Sequence, residues 1–124
     1  MKFYICKHCG NIVAYVKDNH VKIVCCGEVM EELVPKSADA ALEKHVPVVT
    51  KKGNVVNVHI GSVDHPMTEA HHIEWVALET VEGNQRKLLT LEKGPNAVFS
   101  LTDGDKVVAA YEYCNLHGLW KTVL

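Results

Sequence analysis

No stretch of this sequence is apolar over the roughly 20 residues that a membrane-spanning helix requires, so no membrane partner is expected. Positive charge is not in excess either. Thirteen Lys and Arg face fifteen Asp and Glu, a formal net charge of −2, which argues against a general nucleic-acid binder. The opening residues, "MKFYICKHCG", contain no apolar signal core followed by a small-residue cleavage site. The expectation is therefore a cytoplasmic protein, in a compartment that keeps thiols reduced. Long helical periodicity, internal repeats and low-complexity segments are also lacking. The five cysteines cannot all pair, because a pure disulfide framework would leave one over. In a reducing compartment such clusters are more often metal ligands.

What is present is mostly strand. Residues 3–9, "FYICKHC", have strand character and run into a Cys-x-x-Cys turn; "NIVAYV" (11–16) and "VKIV" (21–24) are further short strands, with "KDNH" (17–20) as a turn. A unit this small has too little apolar material for a core and calls for a metal or disulfides. After "VPKSADA" (34–40) the pattern changes, and "SADAALEK" (37–44) suits a helical turn. From residue 45 strands dominate. "HVPVVTK" and "VVNVHIG" flank a turn at Lys52, Gly53 and Asn54; Val56, Val58 and Ile60 alternate with Asn57 and His59, one face buried and one wet. "HIEWVALET" alternates similarly, with Ile73, Trp75 and Ala77 set against Glu74, Val76 and Leu78. "RKLLTLEK", "AVFSLT" and "KVVAAYEY" continue a turn–strand series with the spacing of a β-sandwich.

Two groups of residues carry chemistry. The first is Cys6, Cys9, Cys25 and Cys26, a Cys-x2-Cys-x15-Cys-Cys pattern. Four thiolates suit a tetrahedral soft metal, zinc and iron alike, and leave no open coordination position. Such a site holds structure or passes electrons but does not bind substrate. The second pair is unusual. Adjacent side chains in an extended strand point to opposite faces, so the backbone must bend for Cys25 and Cys26 to reach one ion. His8, within the first pair's loop, reads as an exposed loop residue.

The second group draws on eight histidines, a high number for 124 residues. Three segments look positioned: "EKHVP" with His45, "DHPMTEAHH" with His65 and one of His71 and His72, and "CNLHG" with Cys114 and His117. Pro66 interrupts regular structure just after His65 and leaves 65–71 as a loop able to fold back. One thiolate with several imidazoles suits iron, copper or zinc. Taken alone, Cys114 also fits a buried small hydrophobe, and His20 and His59 read as surface residues.

Together these motifs resemble desulfoferrodoxin, the two-iron form of superoxide reductase, over nearly the whole chain. "YICKHCGNIV…IVCCGEVM" looks like its desulforedoxin-type domain. "EKHVPV", "GSVDHPMTEAHHIEW" and "KVVAAYEYCNLHGLWK" look like the ligand-bearing segments of its catalytic domain, including the 20-residue step from His45 to His65. The resemblance implies a mainly β protein. Residues 1–35 would form a small desulforedoxin/rubredoxin-like metal-binding domain, and 36–124 an immunoglobulin-like β-sandwich carrying a catalytic non-haem iron. It implies two irons per chain. Cys6, Cys9, Cys25 and Cys26 would hold the first; His45, His65, His71 and His117 would give the second its equatorial nitrogens and Cys114 its axial sulfur. Glu43 and Lys44 match the family's mobile charged pair. The implied activity is one-electron reduction of superoxide to hydrogen peroxide, with electrons from a rubredoxin-like donor and a homodimeric assembly. The alternatives are a metal-stabilised electron carrier and a zinc-bound structural module. His72 stands where the family more often has an aromatic residue, which makes it a rival ligand to His71; the 65-to-71 spacing favours His71.

Overall fold

The computed structural model describes residues 1–37 and 45–124. The expected helical turn falls on residues outside that set apart from Ser37, and the charged pair Glu43 and Lys44 also lies outside the described residues. The chain divides into two compact units, Met1–Val34 and Pro35–Leu124.

In the first unit, β1 (Phe3–Ile5) is flanked by β2 (Ile12–Ala14) and β5 (Glu31–Leu33), both antiparallel to it. β1 is shorter than the expected 3–9 because the chain turns at Cys6, where Gly10 N–H donates to the Cys6 carbonyl (2.8 Å) and Cys6 N–H to that of Asn11 (2.9 Å). A second hairpin pairs β3 (Val24–Cys25) with β4 (Glu28–Val29). Here too the expected strand, 21–24, is curtailed, and only Val24 of it is in β3. Phe3, Cys6 and Met30 are the buried apolar residues of this unit. That little core makes a metal the natural source of its stability.

The second unit is an immunoglobulin-like sandwich of two antiparallel sheets. One sheet has the order β10-β7-β6, built from β6 (Pro47–Lys52), β7 (Val55–Ile60) and β10 (Asn96–Ser100). The other has the order β12-β11-β8-β9, built from β8 (Ile73–Thr80), β9 (Asn84–Leu88), β11 (Val107–Cys114) and β12 (Gly118–Val123). The alternation expected in β7 holds: Val56, Val58 and Ile60 are fully buried and meet Phe99, Val76, Leu78 and Ala110 in one cluster. Lys52 pairs with Val55 across a two-residue turn, and Gly53 (φ 58) supplies the left-handed backbone that such a turn requires.

β8 departs from expectation. Val76 and Leu78 belong to the core with Ile73, not to a wet face. The cause is a bulge. Tyr113 pairs with Trp75 but Cys114 pairs with Ile73, so one extra residue on β8 reverses the alternation. Trp75 stacks on Tyr113 on the opposite face (centroids 5.8 Å, interplanar 6°). The sequence pattern gives no strand beyond residue 113; the structure adds β12, which carries Trp120 to the edge of the second histidine cluster.

Candidate metal centres

Cys6 and Cys9 reach the first cluster from the turn after β1, and Cys25 and Cys26 from the β3–β4 hairpin. The bend required of the adjacent pair is present. Cys26 (φ 53) and Gly27 (φ 77) are the two central residues of that hairpin, and both have positive φ, which a two-residue turn of this kind demands. The Cys9 and Cys25 sulfurs are 3.7 Å apart. A tetrahedron with metal–sulfur bonds of about 2.3 Å has edges of about 3.8 Å, so the spacing fits a single four-coordinate ion. The four sulfurs all lie within 4.8 Å of one another.

Hydrogen bonds prepare one thiol of this group, Cys6, for a cation. The Cys9 N–H, followed by the His8 N–H, holds the Cys6 thiol down to about 6 against the effect of burial. Cys25 and Cys26, bonded to Cys6 and Cys9, are raised, Cys26 to about 12. Asn11, which sequence reading missed, sends its backbone N–H to Cys9 Sγ (3.5 Å) and its side-chain amide to Cys25 Sγ (3.8 Å). Donors aimed at sulfur stabilise the thiolate form that a metal needs. His8 is exposed, as expected, and pairs with Glu28 (3.0 Å).

The second cluster lies at one end of the sandwich. His45 precedes β6, His65 and His71 lie on the loop between β7 and β8, and Cys114 and His117 sit on the β11–β12 hairpin. The four rings form a closed circuit of edge-to-face neighbours. Their centroids are 5.0 Å apart for His45–His65, 4.6 Å for His65–His71, 5.0 Å for His71–His117 and 4.8 Å for His45–His117. His45 Nε2 and His117 Nδ1 are 3.0 Å apart. Two nitrogens each about 2.1 Å from a shared cation, at right angles, are separated by about 3.0 Å. Cys114 Sγ lies 3.8 Å from His117 Nδ1. One donor atom from each of His45, His65, His71 and Cys114 falls within 4.8 Å of the others.

His65 gives the clearest sign of a ligand position. Its Nδ1–H donates to the Pro66 carbonyl (2.7 Å), which leaves Nε2 as the lone-pair nitrogen. That Nε2 is buried with no hydrogen-bond partner among the described residues. Burial lowers this imidazole to about 4; the Pro66 carbonyl opposes the shift and the neighbouring rings add to it. The ring is therefore neutral near pH 7, the form that ligates metal. Burial raises the Cys114 thiol, while the N–H groups of Leu116 and His117 pull it back.

His72 is not part of this constellation. Its Nδ1–H folds back to the carbonyls of Thr68 (2.8 Å) and Glu69 (3.1 Å), which leaves His71 as the ring facing the cluster. His20 is exposed, and His59 bonds to Asp64 (2.8 Å) and Asn96 (3.3 Å). Trp120 and Lys36 escaped sequence reading. Trp120 stacks on His45 (4.6 Å, 17°); Lys36 Nζ sits 5.2 Å from the Trp120 ring centre and donates to the His117 carbonyl (3.0 Å). The two contacts of Lys36 follow from its bridge to Trp120 of β12, which no local pattern encodes. Both donor sets fit iron: four sulfurs within 4.8 Å of one another, and a ring of imidazoles with one thiolate. Zinc suits the first but is ordinarily satisfied by four ligands, one fewer than the second cluster offers.

Comparison with known proteins gives the same picture. The family model for desulfoferrodoxin matches residues 37–123. The desulfoferrodoxin of Nitratidesulfovibrio vulgaris is 47% identical over 120 residues, covering 97% of this chain and 94% of that protein. The superoxide reductase of Pyrococcus horikoshii is 35% identical over 103 residues, 69% of this chain and 90% of that one. The crystal structure of the superoxide reductase from Treponema pallidum superposes with a TM-score of 0.82 at 38% identity, covering 98% of this chain and 95% of that chain.

Proposed function

The chain belongs to the desulfoferrodoxin family, and on that footing we propose that it is a superoxide reductase, taking superoxide, one electron and two protons to hydrogen peroxide. The observation that carries this reading is the circuit of four imidazoles with the Cys114 thiol beside it. In this reading Cys6, Cys9, Cys25 and Cys26 hold one iron in the unit over residues 1–35. His45, His65, His71, His117 and Cys114 hold the second in the unit over 36–124. Iron held by those five donors would supply the one-electron reducing chemistry and attract a small anion.

The chain's own residues prepare that position. The Pro66 carbonyl keeps a proton on His65 Nδ1 and so keeps Nε2 available to the metal. Trp120 packs flat on His45 and limits its rotation. Neutral imidazoles cancel none of a cation's charge, so a ferrous ion held with the one thiolate would keep a net positive charge, which favours an anionic substrate. Lys44 is the proposed ammonium that draws superoxide in, and Glu43 the carboxylate that shields the open side between turnovers. The electron donor is a rubredoxin-like carrier, the assembly a homodimer and the compartment the cytoplasm. No helix of the described residues is long and apolar enough to cross a membrane.

The test is stoichiometry. The iron-loaded, reduced protein should yield one peroxide per superoxide consumed and no dioxygen. Dioxygen released alongside peroxide would make the activity a dismutation and refute the reading. A second expectation concerns the first centre. Cys9→Ser should abolish the four-sulfur iron absorption and lower the thermal midpoint of the first unit, whose core is small, while the second centre keeps its own thiolate absorption. Loss of both absorptions together would show that the two centres do not load independently.

A further inference from the structure

The bulge in β8 creates a problem at the second centre. Regular pairing with β11 slips between Tyr113 and Cys114, just where the loop carrying His71 enters β8. The ladder resumes at the Cys114–Ile73 pair and ends there, two residues short of His71. Yet the donor atoms of Cys114 and His71 fall within 4.8 Å of each other. Bonds beyond that last pair must hold the His71 turn against the end of β11.

The loop fixes its own shape. Thr68 and His71 exchange backbone hydrogen bonds (2.9 and 3.2 Å), the Thr68 hydroxyl lies 3.1 Å from the His71 nitrogen and 3.2 Å from its carbonyl, and the His72 ring caps the turn from above. None of these bonds says where the loop sits. Three others do, and all belong to Asn115, the residue after Cys114. Its backbone N–H donates to the His72 carbonyl (3.1 Å), its Oδ1 accepts the His72 N–H (2.9 Å), and its Nδ2 donates to the Ala70 carbonyl (3.1 Å). The bonds grip the residues on either side of His71. Asn115 is not among the non-glycine residues of positive φ, so tolerance of a left-handed backbone does not account for an asparagine here. Its amide does, because only a side chain with both an acceptor and a donor at this length satisfies Ala70 and His72 together.

We propose that Asn115 is a positioning residue of the second centre, a clamp that sets the His71 imidazole against the Cys114 sulfur across the β8 bulge. The proposal rests on the assignment of His71 and Cys114 as ligands of one iron. Groups that orient ligands typically change metal affinity by about 10- to 100-fold when removed. Asn115→Ala deletes both side-chain bonds. Asn115→Asp keeps an acceptor for the His72 N–H and sets a carboxylate oxygen against the Ala70 carbonyl.

Three quantities would be read on the iron-loaded protein: amide hydrogen exchange at His72, ferrous iron lost from each centre to a chelator, and the energy of the thiolate-to-iron absorption of the second centre. Asn115→Ala should speed exchange at His72 about tenfold, as expected for one lost hydrogen bond. It should also speed loss of the second iron by at least about tenfold and shift its absorption, with the first centre unaltered. Asn115→Asp should retain most of the His72 protection and still lose the second iron faster, which keeps the test alive if the alanine variant does not fold. Iron loss and absorption indistinguishable from the parent in either folded variant would reduce Asn115 to a loop tie and overturn the proposal. A parent protein with no second-centre thiolate absorption would instead overturn the ligand assignment beneath it.

Discussion

Cys114→Ser is expected to remove the thiolate-to-iron absorption of the second centre, to leave that of the four-sulfur centre in place, and to lower superoxide reduction by at least about 100-fold, the upper end of what outer-shell changes alone cost. Three features combine to make the effect large. Cys114 is fully buried, so no solvent thiol or other side chain can take its place. Burial also raises its thiol, which means that the cation itself must drive off the proton. A serine hydroxyl in the same position is harder, far less acidic and a weaker electron donor. The Leu116 and His117 N–H groups that stabilise a thiolate in the parent would face a neutral oxygen. If the band persists in the variant at its parental energy, the sulfur seen in the spectrum is not Cys114 and the second centre must be reassigned.

The candidate ligands were legible in the sequence, several of them from local motifs; the register around them and the residues that support them were not. Cys6 and Cys9 announce themselves by a knuckle spacing. His65 does so by the proline that follows it, and Cys114 with His117 by a repeat of the same short spacing. The alternation at Val56, Val58 and Ile60 gave β7 its buried face because that strand pairs regularly on both sides. The same reasoning fails at β8, where one extra residue opposite Cys114 exchanges the two faces and puts Val76 and Leu78 into the core. The supporting residues share this difficulty. Asn11, Lys36, Asn115 and Trp120 act on groups that are distant in sequence, or on backbone atoms whose positions follow only from the folded strands. The 65-to-71 spacing already favours His71 over His72; the structure adds the reason, a His72 ring that folds back to the Thr68 carbonyl.

Glu112→Gln is expected to stabilise the protein at pH 8 and to change it little at pH 5. Glu112 is fully buried on the core side of β11, between Ala110 and Cys114, and neither carboxyl oxygen has a hydrogen-bond partner among the described residues. Burial raises it from 4.5 to about 9. Between those two values the folded chain holds a proton that the unfolded chain has released, so this residue's contribution to stability falls as pH rises. At a limiting slope of about 1.4 kcal/mol per pH unit, the loss from pH 5 to pH 8 is about 4 kcal/mol. Glutamine has nearly the same shape and no proton to release. The variant's stability curve should therefore lack this component, with an advantage over the parent that opens above pH 5 and approaches about 4 kcal/mol by pH 8. Denaturant unfolding of both iron-loaded proteins at the two pH values measures the difference directly. An equal offset at pH 5 and pH 8 would show that Glu112 does not hold its proton in the fold, and that a buried carboxylate is instead tolerated two residues from Cys114.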